Sequence, residues 1–234
     1  MEHKIALVYT GMPFSLVKRV EAELTKVFEG DKLTFVTLSD PSIIADAVKN
    51  GSPSHEALKR LNAMYARAAE AGAEAILNIC SSVGDFAAAC QGAYALMGVP
   101  LVRIDEEMAM RATASYDRIG VIATLSSTLE PSLRLLRACA EKQGRTVELQ
   151  GVLADNAFGG GAEKLIEAAK KLDAPGCLVL AQGSMADNAG EVAAATGLPV
   201  FESPSNGAKA VYKAVKGKGT LRNSRAWATA CAAT

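Results

Sequence analysis

Cys80 is the side chain whose type and position best fit it for chemistry. It closes the run Ala75-Ile76-Leu77-Asn78-Ile79 and is followed by Ser81-Ser82, a strand end passing into a helix start. A thiol placed there meets unpaired backbone N–H groups and the positive end of a helix dipole. Both draw its pKa down from about 8.5 toward neutrality, which suits a base or a nucleophile. The same pattern returns as Leu178-Val179-Leu180-Ala181-Gln182-Gly183-Ser184, and the alignment sets Gln182 opposite Cys80. An amide neither gives nor takes a proton at neutral pH, so only one copy carries a proton-transfer group. Asp85 and Asp187 occupy equivalent places just beyond, inside the helix that each copy begins, where a carboxylate commonly offsets the dipole. From position alone, Cys80 reads equally well as a small buried residue at a strand end.

The remaining candidates are weaker. Cys139 and Cys177 fall in apolar stretches and are expected to be buried and inert, Cys90 lies in an Ala-rich helix, and Cys231 lies near the C-terminus. Five scattered cysteines form neither a disulfide framework nor a Cys-x-x-Cys pair. The two histidines, His3 and His55, are expected on the surface, which leaves no zinc cluster and no Ser-His-Asp or Cys-His arrangement. Phe158-Gly159-Gly160-Gly161-Ala162 lacks the Lys and spacing of a phosphate loop and reads as a flexible connection. Only Gly11-Met12-Pro13 follows the first strand, so a dinucleotide fingerprint is missing. The basic tract over residues 213–222 reads as a solvated segment.

The elements that must position Cys80 and Gln182 also come in two similar sets. Lys4-Ile5-Ala6-Leu7-Val8-Tyr9-Thr10 and Arg118-Ile119-Gly120-Val121-Ile122-Ala123-Thr124 are β-rich runs ending in Thr. Helical spacing follows each, over residues 16–28 and 128–143, then further extended runs at 33–38 and 146–150. After Cys80 and after Gln182 comes an Ala-rich helix ending in Gly98-Val99-Pro100-Leu101-Val102 or Gly197-Leu198-Pro199-Val200-Phe201. Strand and helix alternating in this way predict an α/β fold with mostly parallel sheets. At 234 residues, half of them apolar, the chain can bury one large core or two smaller ones. The division reads as 1–112, carrying Cys80; 113–208, carrying Gln182; and 209–234, returning to the first half with Trp227 as its anchor.

Lys plus Arg equals Asp plus Glu at 25 each, so the basic excess of a nucleic-acid or membrane-surface binder is missing. No run approaches eighteen uninterrupted apolar residues and the N-terminal run is too short for a signal-peptide core. A cytoplasmic protein is expected.

In order and spacing, Asn78-Ile79-Cys80-Ser81-Ser82, the strand and Thr-rich loop Val121-Ile122-Ala123-Thr124-Leu125-Ser126-Ser127-Thr128, and Leu178 through Ala186 resemble the aspartate/glutamate racemase superfamily. That superfamily includes hydantoin and allantoin racemases, maleate isomerases and arylmalonate decarboxylases, and the resemblance covers nearly the whole chain. Pro100-Leu101-Val102-Arg103-Ile104-Asp105-Glu106 is similar to a segment that carries a Glu in the hydantoin-racemase branch.

The resemblance implies two similar Rossmann-like αβα subdomains related by a pseudo-twofold axis, with a cleft between them and no metal or organic cofactor. It implies an isomerase or racemase acting at the carbon next to a small acid's carboxylate. Cys80 would be base or nucleophile, Gln182 a hydrogen-bond donor to substrate and Glu106 a further catalytic group. Thr10, Asn78, Ser81, Ser82, Thr124, Thr128, Gly183 and Ser184 would bind the substrate. Gln182 departs from the two-thiol pattern and excludes a symmetrical two-base racemase through that position. A one-cysteine decarboxylase of a malonate-type acid, a Cys80 nucleophile adding to an unsaturated acid, and a non-catalytic carboxylate binder stand as alternatives. Arg103, Arg111 and Arg134 read either as a second anion contact or as surface residues, and the Ala-rich helices would permit a homodimer.

Overall fold

The structure is a computed structural model that describes residues 1–154 and 161–223, with side chains as far as residue 217. Residues 155–160, Trp227 and Cys231 lie outside the described residues, and with them most of the Gly-rich segment.

In the first half, strands β1 (Glu2–Tyr9), β2 (Lys32–Ser39), β3 (Ala75–Ile79) and β4 (Leu101–Arg103) form a parallel sheet in the order β2-β1-β3-β4. Helices α1 (Phe14–Val27), α2 (Pro41–Asn50), α3 (His55–Glu70) and α4 (Gly84–Leu96) make the crossovers. The second half repeats the order. Its strands β5 (Arg118–Ala123), β6 (Glu148–Leu153), β7 (Cys177–Leu180) and β8 (Val200–Phe201) run parallel as β6-β5-β7-β8. Helices α5 (Glu106–Ser115), α6 (Ser126–Lys142), α7 (Ala162–Ala169), α8 (Ala189–Thr196) and α9 (Ser203–Asn223) complete the described chain.

Burial explains the arrangement. Every residue of β3 and β7 is buried, as expected of central parallel strands covered on both faces, whereas β2 and β6 are partly exposed and lie at edges. Alternation along β1 sends Ile5, Leu7 and Tyr9 to one core and Ala6 and Val8 to the other. Local signals set helix ends: Asp40 accepts the Ser42 N–H ahead of Pro41 at the start of α2, and Gly51 closes that helix in the left-handed region at φ 75°.

The two halves exchange their last helices. Helix α5 sits in the second core, where Met108, Ala109 and Ala112 pack with Ile119, Val121 and Leu136. Helix α9 returns to the first, where Ala208, Val211 and Val215 join Ile5, Leu7 and Val20. The division expected at residue 112 therefore falls inside α5: the chain crosses over at Asp105, because the apolar stripe of α5 faces β5 and β7. Gly207 makes the return of α9 tight. A Cβ there would stand 2.9 Å from the Ile104 carbonyl oxygen and 3.0 Å from its Cα, and backbone atoms cannot swing aside. Gly207→Ala is expected to cost about 1–3 kcal/mol, read as a lower urea midpoint at an unchanged slope; an unchanged midpoint would refute the close fit.

His3, expected on the surface, is buried because β1 already begins at Glu2. Its ring lies 5.3 Å from that of Phe28, Nδ1 is 3.0 Å from the Glu74 carboxylate, and Nε2 is 3.1 Å from the Lys216 Nζ on α9. Lys216 also donates to Asp31 at 2.6 Å, so this cluster ties α9 to the amino ends of the first sheet.

Candidate active site

In each sheet the chain turns to opposite sides after the two central strands, which leaves a crevice at their carboxyl ends, the usual ligand position in open α/β sheets. Thr10 follows β1 and Cys80 follows β3; Thr124 follows β5 and Gln182 follows β7. The two crevices meet in one cavity of ≈ 100 Å³. For scale, apolar cavities of about 150 Å³ take up benzene.

The backbone at Cys80 is fixed from behind. The Tyr65 hydroxyl donates to the Asn78 Oδ1 at 2.8 Å, and the Asn78 amide donates to the Cys80 carbonyl at 3.0 Å. A single 3-10 turn, Ser81–Val83, then opens α4. Gly84 is required at that junction, since a Cβ would meet the Arg103 guanidinium, its Cζ at 2.6 Å. Arg103 and Asp105 are buried together and paired twice, Nε to Oδ1 at 2.9 Å and Nη2 to Oδ2 at 3.1 Å.

Burial pushes the Cys80 thiol above its ordinary value, with the Asp105 charge adding in the same direction. The Thr10 hydroxyl and the Ser82 and Val83 N–H groups favour the thiolate and are outweighed. This corrects the lowered pKa expected at a helix start: Cys80 is half-buried, its partial loss of water outweighs the donors, and a short 3-10 turn has little dipole to set against that loss. Cys139 and Cys177 are buried in the second core, and burial pushes their thiols up to about 11 and about 12.

The equivalent position in the second half is occupied differently. Gln182 accepts the Thr124 N–H at 3.0 Å through Oε1 and donates to the Thr124 hydroxyl at 2.9 Å through Nε2. This doubled bond clasps the amide to the end of β5, and Gln182 lines the cavity from there. The Ser82 and Thr128 hydroxyls, 2.9 Å apart, join the halves across the cleft.

Among the residues singled out in the sequence, Thr10, Cys80, Ser81, Ser82, Thr128, Gln182, Gly183 and Ser184 line the cavity. Asn78 and Thr124 stand behind it. Glu106 is not brought there: as the first residue of α5 it turns sideways, accepting from Gln91 at 2.8 Å and Lys142 at 3.3 Å. The arginines are engaged elsewhere too, Arg103 with Asp105, Arg111 with Asn206 and Arg134 with Asp85. The apolar part of the lining, including Leu16, Ile44, Ile104 and Leu125, was not singled out. Its one signal was the loop Gly11-Met12-Pro13, set after a central strand where the crevice opens. Among the described residues no group of three or more His, Cys, Asp or Glu could share a metal ion, and no helix is long and apolar enough to cross a membrane.

Two sheets of one order, joined at the carboxyl ends of their central strands around a small cavity, define a duplicated doubly wound α/β protein with its ligand cleft between the halves. The chain belongs to the Asp/Glu/Hydantoin racemase family, whose model matches residues 14–211, and that membership supports an enzyme. Its fold is similar to that of allantoin racemase from Klebsiella pneumoniae (TM-score 0.63, 20% identity, 92% of this chain and 88% of that one). It is similar also to glutamate racemase isoform RacE1 from Bacillus anthracis (TM-score 0.71, 12% identity, 93% and 83%). Picrophilus torridus aspartate racemase has the same fold (TM-score 0.59, 13% identity, 93% and 94%). A search of curated proteins gave no match.

Proposed function

We propose that this chain is a cofactor-independent isomerase-type enzyme that moves a proton at the carbon next to a small acid's carboxylate, with Cys80 as its single proton carrier. The observation that carries this reading is the unequal pair at the cleft: a thiol ringed by neutral donors from the first half, and from the second an amide clasped to Thr124.

The substrate carboxylate accepts hydrogen bonds from the hydroxyls of Thr10, Ser81, Ser82, Thr128 and Ser184 and from the N–H groups that open the two 3-10 turns. When Cys80 as thiolate takes the α-proton, the electron pair spreads onto the carboxylate, and donors already in place stabilise that enediolate. The thiol then returns a proton to the same face. Gln182 holds the substrate by hydrogen bonding and carries no proton. Return to the same carbon is exchange with retention; isomerisation by this route needs the proton to return at another carbon of a conjugated enediolate, and a decarboxylation needs only the protonation that follows loss of carbon dioxide, each with a single stereochemical outcome. Proton transfer on one face does not account for racemisation by paired thiols.

The test is proton exchange in deuterated water, followed by NMR for a panel of α-amino, α-hydroxy, hydantoin-type, malonate-type and maleate-type acids. Exchange with retention of configuration is expected; inversion catalysed by the wild type would sink the one-face reading. Because burial raises the Cys80 pKa, the thiolate is the minor form at neutrality. The exchange rate should therefore climb with pH through 7 and go on climbing past about 8.5, the ordinary thiol value. A plateau reached below pH 8 would show that the base is another group.

A further inference from the structure

The cavity divides into a polar end and an apolar wall, and the pairing of the two decides what fits. Hydroxyls and N–H groups gather beside Cys80, where one carboxylate can be held. The other wall is built by Leu16, Ile44, Ile104 and Leu125. Among the described residues no Lys, Arg, His, Asp or Glu lines the cavity. Charged side chains around the turn that follows Cys80 are already paired, Arg103 with Asp105 and Asp85 with Arg134. At the loop that forms the rim beside Gly11 and Pro13, Met12 and Phe14 expose large apolar side chains, 44% and 72% accessible.

From this we infer that the substrate is a monocarboxylic acid whose other substituents on the reacting carbon are uncharged and apolar. An α-amino acid brings an ammonium, and aspartate or glutamate a second carboxylate as well. Either would leave water for a wall with no partner, and a charge desolvated without a partner is strongly disfavoured. The polar end is neutral, so its hydroxyls can serve one carboxylate without a counter-ion, as donors pre-placed in a dry site do. The apolar wall then takes the substituent, and size discriminates there, since one methylene more or less in such a pocket changes selectivity about 10–200-fold.

The inference rests on the reading of Cys80 as proton carrier, and its test separates the two. Glutamate, norvaline, 2-methylpentanoate and 2-methylbut-3-enoate, the last with an allylic and so more acidic α-hydrogen, are compared with the wild type in deuterated water for exchange at the α-carbon. The same acids are compared for protection of Cys80 against alkylation by iodoacetamide. At least about tenfold better exchange and protection by the two uncharged-substituent acids supports the inference. Cys80-dependent exchange that favours glutamate overturns it and leaves the Cys80 reading standing. With no exchange from any acid the Cys80 reading falls, and the order of protection alone decides: glutamate protecting as well as the apolar acids overturns the inference. Ile44→Arg, which sets a cation in the apolar wall, is expected to narrow the preference toward glutamate, and the wild-type comparison decides should that variant fail to fold.

Discussion

Cys80→Ser lowers the rate of α-proton exchange by about 10²–10⁴-fold, the range over which a positioned acid–base group contributes. Serine keeps a hydroxyl beside Thr10 but cannot hold or release a proton near neutral pH. The groups that bind the carboxylate stay in place, so the loss is expected in kcat with KM nearly unchanged, the signature of an interaction made only in the transition state. The fold has no reason to suffer, because the Cys80 carbonyl, which accepts from Asn78, belongs to the backbone. Glu106→Gln is the matching control. Its carboxylate is held by Gln91 and Lys142 away from the cavity, so exchange should stay within about twofold of wild type, well short of the tenfold that 1.4 kcal/mol represents. If Cys80→Ser retained the wild-type rate, or Glu106→Gln lost it, the proton would be travelling by another route.

Arg103→Ala unfolds the protein more readily by about 3–5 kcal/mol, the usual result of removing one partner of a buried ion pair. Arg103 and Asp105 are each only 2% exposed. Burial works against the guanidinium's charge, yet Asp105 beside it, with Asp85 and Glu106 further off, keeps its pKa above the ordinary value. Without Arg103 the Asp105 carboxylate stays buried with no cation, and Gly84 loses the group packed against it. Since Gly84 directly follows Ser81–Val83, the turn that carries the cavity's hydroxyls should loosen and activity fall with stability. Chemical denaturation checks the first effect, and the double variant Arg103→Met, Asp105→Leu separates its causes. Removing both charges should recover most of the lost stability, as apolar replacements of buried pairs often do. A single variant within 1 kcal/mol of wild type would mean that water reaches Asp105.

The doubled architecture was legible because strand ends and turns repeat in register: Thr10 with Thr124, Cys80 with Gln182, Pro100 with Pro199. A repeat fixes where residues stand along strands, and the cavity gathers those that end central strands or open the turns after them. What proved illegible depended on partners far along the chain. The raised pKa of Cys80 follows from partial burial in a cleft lined by Leu16, Ile44 and Leu125, none of them near it in sequence. Glu106 stands at the right end of a strand, but the first residue of a helix points across the axis, and only the packing of α4 and α6 beside α5 turns it to Gln91 and Lys142. Arg103 and Asp105 look like ordinary surface charges until β4 is seen to be covered. Nor can the apolar stripe of α5 say which of two similar sheets it covers.

That last ambiguity bears on how the protein is made. The helix exchange leaves part of one face of β1, which is made before the other strands of this fold, uncovered until residues 208–215 have been synthesised. At about 5–20 residues per second that interval lasts about 10–40 s. Through it Ile5 and Leu7 have α1 on one side and no lasting cover on the other. Nearly the whole of this fold must thus be made before its first strand is secure, and a ribosome stalled in the second half would present that strand to chaperones or to another unfinished copy.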